Sequence, residues 1–386
     1  MTVAMLVTTK IEDTPAGGRE MLSKLNRDCL LEIFDTKLFV YQIAQEKTAS
    51  LMQMWHAMKG HIDGVNHSIQ ADVIAKITEL NVECLYIDGS NFGALVDRIR
   101  KALPKIAIVT FFHNVEARFF FGAFRSSRSI RSLGVLFANF VAERKAVTKS
   151  DIIIVMTQKD SHDLAKLYGR GADYISPIAL EDKFKAYESE APRAYESEAP
   201  RVPSKQRYLL FVGGSFYANR DGIRWFAKNV VPNIGIRTIV VGKGMEKLRA
   251  ELECFGAIEV VGAVDDLSRW YLESECVIAP IFDGSGMKTK VAEAMMFGKK
   301  VVGTPEAFHG YENVMASAGW VCSNTEQFVD CINNLKETKL QIFDSYNRRL
   351  YERLYSKSAA RARTAAIMSS ICGSSAVSVQ INDGPS

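Results

Sequence analysis

Two lysines and a glutamate follow a glycine-rich turn in the segment APIFDGSGMKTKVAEAMMFGKKVVGT, residues 279–304. The pattern predicts a β-turn-α-β unit, with a strand over 277–281, a turn over 283–286, a helix over 287–297 and a second strand at 301–302. A helix N-terminus presents unpaired N–H groups and the positive end of the helix dipole. Because cations are unfavourable there, Lys288 and Lys290 indicate an anion, such as a diphosphate, in front of the helix.

Glu293 lies further into the same helix, on the side that can face the same crevice. A carboxylate at that distance can accept hydrogen bonds from two sugar hydroxyls. The alternative is an ordinary βαβ crossover with solvated lysines, and the spacing alone leaves both interpretations open.

A second group of candidate residues follows predicted strands in the first half of the chain. His113 follows an apolar strand over 105–112, and ligands bind where parallel strands end. Alternatively, Asn114 caps the next helix and His113 only packs nearby. Glu116 could serve as a general base. A turn containing Gly17, Gly18 and Arg19 follows the first strand, at 3–8.

The segment 117–149 combines aromatic and aliphatic residues with seven basic residues and one acidic residue, Glu143. Its local charge of +6 exceeds the +4 of the whole chain. This composition is typical of a helix at an anionic membrane, and Arg118, Arg125, Arg128 and Arg131 are the candidate docking residues. A core helix with a solvated basic face remains the alternative. A nucleic-acid partner is not expected, since no nucleic-acid motif accompanies the charge.

Composition indicates a soluble or peripheral protein with buried cores. Apolar residues make up 47% and charged residues 24% of 386 residues. The seven cysteines are scattered without a C-x-x-C pair, which is typical of reduced thiols in the cytosol. His56, His61 and His67 are near in sequence, but their spacing does not place them on one helix face, so we expect no metal site there.

Alternating strand and helix patterns predict an α/β protein with parallel sheets. Length favours two domains. The octapeptide AYESEAPR occurs at 186–193 and again at 194–201, and a tandem copy rich in Glu, Pro and Ser is typical of a linker. The predicted organisation is a first domain over 1–180, a linker over 181–206, a second domain over 207–340, a C-terminal helix over 341–370 and a disordered tail over 371–386.

The segment DGSGMKTKVAEAMMFGKKVVGTPEA resembles the donor-binding segment of family 4 glycosyltransferases, the glycosyl transferases group 1 of bacterial polysaccharide biosynthesis. That resemblance implies a GT-B fold, in which two Rossmann-like domains face each other across a cleft and a C-terminal helix returns to the first domain. Glu293 matches the second of two family glutamates, which contacts the donor ribose. Ser285 replaces the first.

The resemblance also implies roles for residues of the other loops. In GGSFYANRDGIRWF, Ser215 occupies the position of a family arginine, and Arg220 occupies the position of a family lysine that contacts phosphate. The loop with Gly17, Gly18 and Arg19 reaches toward the donor phosphates or the acceptor. His113 matches a histidine that contacts the donor sugar. The remaining donor-binding candidates are Lys243, Val264, Ser285, Gly286 and Met287.

The function implied is transfer of a sugar from a UDP- or GDP-sugar to a saccharide or polyprenyl-linked acceptor, in surface or exopolysaccharide biosynthesis. The resemblance implies a retaining reaction without a cofactor. We expect the reaction to be independent of metals, since no Asp-x-Asp pair is present. The expected location is the inner face of the plasma membrane, as a peripheral protein of the cytoplasm. A GT-B sugar-nucleotide epimerase and a catalytically silent sugar-nucleotide-binding module are the alternatives.

Overall fold

The computed structural model describes residues 2–11, 18–44, 51–185, 207–284, 286–337 and 343–372, with the backbone alone at 51–54 and 126. The chain forms two compact units, Met1–Ala179 with Lys357–Ser386, and Leu180–Ser356. The AYESEAPR repeat and the tail from 373 onward lie outside the described residues.

The first unit is built on a parallel sheet whose strand order is β2-β1-β3-β4-β5-β6. The strands are β1 (Ala4–Thr9), β2 (Leu38–Ile43), β3 (Cys84–Asp88), β4 (Ala107–Phe112), β5 (Ile152–Val155) and β6 (Tyr174–Ile175). A parallel sheet is covered by helices on both faces, so its central strands are apolar throughout. In β3 and β4 nearly every residue is buried.

The helices that connect these strands are α1 (Gly18–Phe34), α2 (Leu51–Met58), α3 (His67–Glu79), α4 (Gly93–Ala102), α5 (Glu116–Ser127), α6 (Ile130–Lys149) and α7 (Gln158–Tyr168). The basic segment was expected to be one helix but forms two. Arg128 adopts a left-handed conformation with φ of 47°, which ends α5. The Ser129 side chain then accepts the Ser132 N–H at 3.1 Å and begins α6.

The second unit repeats this plan with the strand order β12-β11-β10-β7-β8-β9. Its strands are β7 (Tyr208–Val212), β8 (Arg237–Val241), β9 (Ile258–Gly262), β10 (Cys276–Ala279), β11 (Val301–Gly303) and β12 (Gly319–Val321). Its helices are α8 (Tyr217–Asn229), α9 (Arg249–Glu253), α10 (Ser268–Glu273), α11 (Thr289–Met296), α12 (Met315–Ala318), α13 (Thr325–Glu337) and α14 (Ser345–Leu354).

The predicted β-turn-α-β unit forms part of this second sheet, in which β11 lies next to the edge strand β12. Strand β10 pairs with β11 in parallel, with Val277 opposite Val301, and α11 connects them. Gly298 follows the helix with φ of 60°, the left-handed conformation that ends a helix at little cost for glycine. The helix begins at Thr289, two residues later than the sequence indicates.

The C-terminal tract differs from the predicted single helix over 341–370. It consists of α14, in the second unit, and a further helix α15 (Lys357–Cys372), in the first unit. The helices are separated because the Tyr355 carbonyl accepts the Leu180 N–H at 2.8 Å, and Leu180 also forms a β-bridge with Ser356. Helix α15 packs on α1, where Ala360 joins a buried cluster with Leu25 and Cys29.

Candidate active site

The loops that follow β7 and β8 pack directly against each other. The Ser215 N–H donates to the Lys243 carbonyl at 3.0 Å. A Cβ atom on Gly242 would lie 2.0 Å from the Gly213 carbonyl oxygen, so this contact requires glycine. Gly214 and Lys243 remain exposed. The predicted phosphate-contacting loop is therefore held in place by backbone contacts.

In the described part of the turn before α11, the side chain at the N-cap position makes no capping hydrogen bond to the first N–H groups of that helix. Lys288 occupies the cap position and makes no capping bond, because a lysine side chain has no acceptor. Gly284 and Gly286 have φ values of 131° and 69°, which only glycine adopts readily. Met287 is buried, and Ser285 lies outside the described residues. An anion at this turn could accept hydrogen bonds from the first N–H groups of α11.

Lys288 is held at the turn by two acceptors. Its ammonium donates to the Gly286 carbonyl at 2.8 Å and pairs with Glu306 at 2.9 Å. Its backbone carbonyl accepts the Tyr311 hydroxyl at 2.9 Å. The charge predicted at the helix N-terminus is therefore present, with a carboxylate partner that the sequence pattern does not show.

Lys290 points away from this position, although the two lysines were predicted to act together. It is buried, donates to Asn219 Oδ1 at 2.9 Å, and its ammonium lies 4.5 Å from the centre of the Phe211 ring. Burial lowers the pKa of Lys290 to about 7, against the opposing effect of Glu293. Asn219 in turn donates to the Gly214 carbonyl at 3.0 Å. Lys290 thus ties α11 to the loop after β7.

Glu293 lies half-buried on α11 and accepts the Tyr271 hydroxyl at 2.7 Å. Arg220 lies in the first two turns of α8, and its Nε atom is buried with no hydrogen-bond partner among the described residues. Val264 is half-buried after β9. The candidate donor-binding residues of this unit thus lie in, or directly after, loops at the carboxyl ends of its strands.

In the first unit, His113 follows β4 and is almost fully buried. Its Nε2 lies 3.0 Å from Asp88 Oδ1, and its Nδ1 has no partner in the described part of the chain. Asp88 also accepts the Thr8 hydroxyl at 2.8 Å and the Asn26 amide at 2.9 Å. Burial alone would raise the pKa of Asp88. The charge of His113, and the hydrogen bonds that Asp88 accepts from His113 and its other donors, outweigh burial and hold this pKa well below its usual range.

Arg19 lies in the first turn of α1, next to Gly18, its first residue. Its guanidinium lies 3.5 Å from the carboxylate of Asp63, which also accepts a hydrogen bond from Asn91. Gly17 lies outside the described residues. Arg19 is therefore ion-paired at the carboxyl end of this sheet, and its charge partly opposes the rise that burial causes in the pKa of Glu116.

Glu116 begins α5, and Glu143 from α6 caps that helix. The two Glu143 oxygens accept the Glu116 N–H at 2.8 Å and the Ala117 N–H at 3.1 Å, and the Tyr168 hydroxyl donates at 2.7 Å. Burial raises the pKa of Glu143 to about 7 and outweighs these donors. Burial, together with Glu143, also raises the pKa of Glu116 to about 7, against the effect of Arg19. Two coupled carboxyl groups are thus placed to titrate near neutral pH.

Helices α5 and α6 expose large apolar side chains beside the predicted docking arginines. The exposed fractions of Phe121, Ile130, Leu133 and Phe137 are 46%, 91%, 49% and 47%. Arg125, Arg128 and Arg131 are exposed among them, whereas Arg118 pairs with Asp163 at 3.0 Å. We call Phe121, Ile130, Leu133, Phe137 and the three exposed arginines the basic-apolar surface. The second half of α6 is packed in the core.

The three histidines after β2 come together despite their spacing. The His61 ring centroid lies 5.9 Å from that of His56 and 5.1 Å from that of His67. Burial, with His67 and Lys145 nearby, lowers the pKa of His61 to about 4. No group of metal-binding side chains that could hold an ion occurs among the described residues. Within the same residues, no helix is long and apolar enough to cross a membrane.

Several residues of these networks were not identified from the sequence. Asp88 ends the apolar run CLYID, so the rule applied to His113 would also have found it. Glu143 is the single acid of a basic segment, which could have indicated a buried role. Asn219 and Tyr271 carry no comparable signal, because their partners lie 71 and 22 residues away.

Comparison with known proteins finds a family that is similar to the second unit. Residues 206–338, within the second unit, match the family described as glycosyl transferases group 1. A comparison with curated protein sequences finds no match.

Solved structures with a similar fold cover nearly the whole chain. Sucrose-phosphate synthase from Thermosynechococcus elongatus is 11% identical, with a TM-score of 0.71, over 96% of this chain and 99% of its own. HepE from Anabaena, solved in complex with UDP, is 13% identical, with a TM-score of 0.63, over 96% and 100%. WaaG, a glycosyltransferase involved in lipopolysaccharide biosynthesis, is 17% identical, with a TM-score of 0.58, over 92% and 94%.

At these identities the structural matches establish the fold, and the family match concerns the second unit. They confirm the resemblance inferred from the segment 279–304. The chain has the GT-B fold, residues 206–338 of its second unit match the glycosyl transferases group 1 family, and the protein is a glycosyltransferase of the GT-B type.

Proposed function

We propose that this glycosyltransferase transfers a sugar from a UDP- or GDP-sugar to a saccharide or polyprenyl-linked acceptor. The observation that carries the proposal is the uncapped N-terminus of α11 beside Lys288. Such a terminus favours a diphosphate, because backbone N–H groups and the helix dipole both attract negative charge. HepE, which shares the fold, is solved with UDP.

The donor is bound by residues that follow four strands of the second unit, β7, β8, β9 and β10. The diphosphate accepts hydrogen bonds from the turn at Gly286 and Met287, while Arg220 and Lys288 supply positive charge. The buried Nε of Arg220, without a protein partner among the described residues, supports this role. Glu293 holds the ribose, and Lys243 and Val264 flank the nucleotide. Lys290 contributes indirectly, through Asn219 and the loop after β7.

Negative charge develops on the leaving diphosphate during transfer, and we infer that the protein stabilises it without a metal ion. Lys288, Arg220 and the helix N-terminus provide fixed positive charge for this purpose. The reaction proceeds with retention, the diphosphate itself accepting the acceptor's proton. His113 then contacts the donor sugar, together with the loop containing Gly18 and Arg19.

Glu116 offers a specific alternative to this chemistry. A buried carboxyl whose pKa is raised to about 7 has the property expected of a general base at neutral pH. If Glu116 is that base, the enzyme inverts the anomeric configuration. The stereochemistry of the product therefore distinguishes the two mechanisms.

The acceptor is proposed to be lipid-linked and to lie at an anionic membrane. The basic-apolar surface combines exposed apolar residues with three exposed arginines, which suits binding to anionic headgroups. WaaG, with the same fold, takes part in lipopolysaccharide biosynthesis. These observations support a role in surface or exopolysaccharide biosynthesis, on the inner face of the plasma membrane.

The function is tested by incubating purified protein with a panel of UDP- and GDP-sugars, with and without lipid-linked saccharides, in excess chelator. We expect acceptor-dependent release of nucleoside diphosphate that chelator does not prevent. Loss of activity in chelator with recovery on adding magnesium would overturn the metal-independent mechanism. A product that is an epimerised sugar nucleotide would identify an epimerase, and binding without turnover of any donor would identify a silent binding module.

A further inference from the structure

Glu293 and Tyr271 form a partly buried hydrogen bond between two elements of the second unit. The Tyr271 hydroxyl on α10 donates to Glu293 Oε2 on α11 at 2.7 Å. Tyr271 is fully buried, and Glu293 is half-buried. Burial, and then Glu293, raises the pKa of Tyr271 far above its usual range, so the hydroxyl keeps its proton and is the donor. One carboxylate oxygen is thereby held by the protein.

The tyrosine is itself held rigidly on both its ring and its backbone. Its ring stacks on Phe297, with centroids 5.0 Å apart and planes within 8°. Its carbonyl accepts the Ser274 hydroxyl at 2.8 Å, and Lys299 donates to the carbonyls of Leu272 and Ser274 at 2.9 and 2.8 Å. The hydroxyl of Tyr271 therefore presents a fixed donor to Glu293.

A glutamate side chain has three rotatable bonds, and restricting them before the ligand arrives lowers the entropy cost of binding. We propose that Tyr271 is a positioning residue, which holds Glu293 Oε2 so that the carboxylate meets the two ribose hydroxyls of the donor in one orientation. This inference rests on the proposed role of Glu293. In this role, Tyr271 increases the selectivity of the donor site for the ribose hydroxyls, an effect that packing of the Tyr271 ring alone would not produce.

The variant Tyr271→Phe separates positioning from packing, because it keeps the ring on Phe297 and removes only the hydroxyl. Tyr208→Phe is the matched control. Tyr208 is also buried in this unit, and its hydroxyl donates to the Trp270 carbonyl at 2.9 Å, so its removal leaves Glu293 bonded. Circular dichroism and thermal unfolding of both variants establish that each is folded.

Binding is measured by calorimetry with UDP, GDP and their 2′,3′-dideoxy analogues. We expect the wild type to bind its preferred diphosphate at least tenfold more tightly than the dideoxy form. Tyr271→Phe should lose three- to tenfold affinity for the hydroxylated nucleotide and less than twofold for the dideoxy analogue, while Tyr208→Phe retains the wild-type ratio.

Three results would overturn the inference, and they differ in what they imply for the role of Glu293. If the wild type discriminates and Tyr271→Phe discriminates equally well, Tyr271 serves packing alone and the role of Glu293 stands. The same conclusion follows if the variant loses affinity for both nucleotides in proportion. If the wild type itself binds both nucleotides equally, Glu293 does not hold the ribose, and both the proposed role and this inference fail.

Discussion

Lys288 and Glu306 form an ion pair of 2.9 Å beside the uncapped N-terminus of α11. The pair orients the Lys288 ammonium before a ligand arrives. The Glu306 carboxylate also offsets part of the positive charge that Lys288 would present to a diphosphate.

We expect Lys288→Ala to lower kcat more than tenfold, because a cation at developing negative charge commonly contributes several kcal/mol. Glu306→Gln removes the competing carboxylate, so it should leave kcat within severalfold and lower the KM for the donor. Steady-state kinetics with both variants checks this. Equal losses in the two variants would show that the pair stabilises the turn and does not act on the diphosphate.

Replacing Glu293 should affect donor binding directly. Glu293→Ala is expected to weaken sugar-nucleotide binding by ~1.5–3 kcal/mol, the range for lost hydrogen bonds to a charged group. Calorimetry on a variant with a wild-type unfolding temperature measures the change. An unaltered donor affinity would contradict the ribose-binding role.

His113→Ala should slow transfer strongly while nucleoside-diphosphate affinity, which belongs to the second unit, stays within about twofold. Asp88→Asn provides a graded comparison, because it keeps a side chain opposite His113 Nε2 but removes the charge. The product's anomeric carbon is examined by NMR in parallel. An inverted product together with an inactive Glu116→Gln would move the catalytic role from His113 to Glu116.

The basic-apolar surface predicts salt-sensitive membrane binding. Each cation near an anionic surface contributes about 1 kcal/mol, and salt weakens this attraction. Reversing Arg125, Arg128 and Arg131 to Glu should therefore release the protein from anionic vesicles without lowering its thermal stability. Cosedimentation with anionic and neutral vesicles at low and high salt measures the effect.

A matched control for that experiment reverses three exposed lysines of the same unit that lie outside helices α5 and α6, namely Lys105, Lys159 and Lys166. This variant carries the same change in net charge and should still sediment with anionic vesicles. If both triple variants are released equally, the attraction depends on net charge alone and the docking surface is refuted.

The raised pKa of Glu143 predicts that the free energy of unfolding depends on pH. Its folded pKa, about 7, lies above the ordinary 4.5, so the folded state binds the proton more tightly. The stabilisation is fully present below pH 4.5 and is lost as the pH rises through 7, with a slope of at most about 1.4 kcal/mol per pH unit for one group. Glu143→Gln should lower the slope of the unfolding free energy between pH 5 and 7, and Glu116 accounts for the slope that remains.

Denaturant unfolding across this pH range gives the slope, and the exposed Glu79→Gln is the control that should leave it unchanged. Glu143→Gln also removes an acceptor from one of two helix N–H groups, so we expect a loss of about 1–3 kcal/mol at all pH values. A wild-type slope in Glu143→Gln would show that the titration belongs to other groups.

The sequence by itself determined the parallel α/β architecture and the position of the β-turn-α-β unit. Both are local properties: apolar runs of strand length, helical periodicity, and the stop at Gly298 are written in adjacent residues. The family resemblance likewise depends on one continuous segment, and it gave Glu293 and the turn before α11 as donor-binding candidates.

Only the tertiary structure decided which side chains are paired within the protein and which lie where a ligand could contact them. Lys288 and Lys290 look equivalent in sequence, yet one lies at the turn and the other is buried against Asn219. Glu143 reads as part of a charged helix, yet it caps α5 from 26 residues away. Burial and partners depend on contacts between residues far apart in the chain, and these contacts set the pKa values and orientations that chemistry requires.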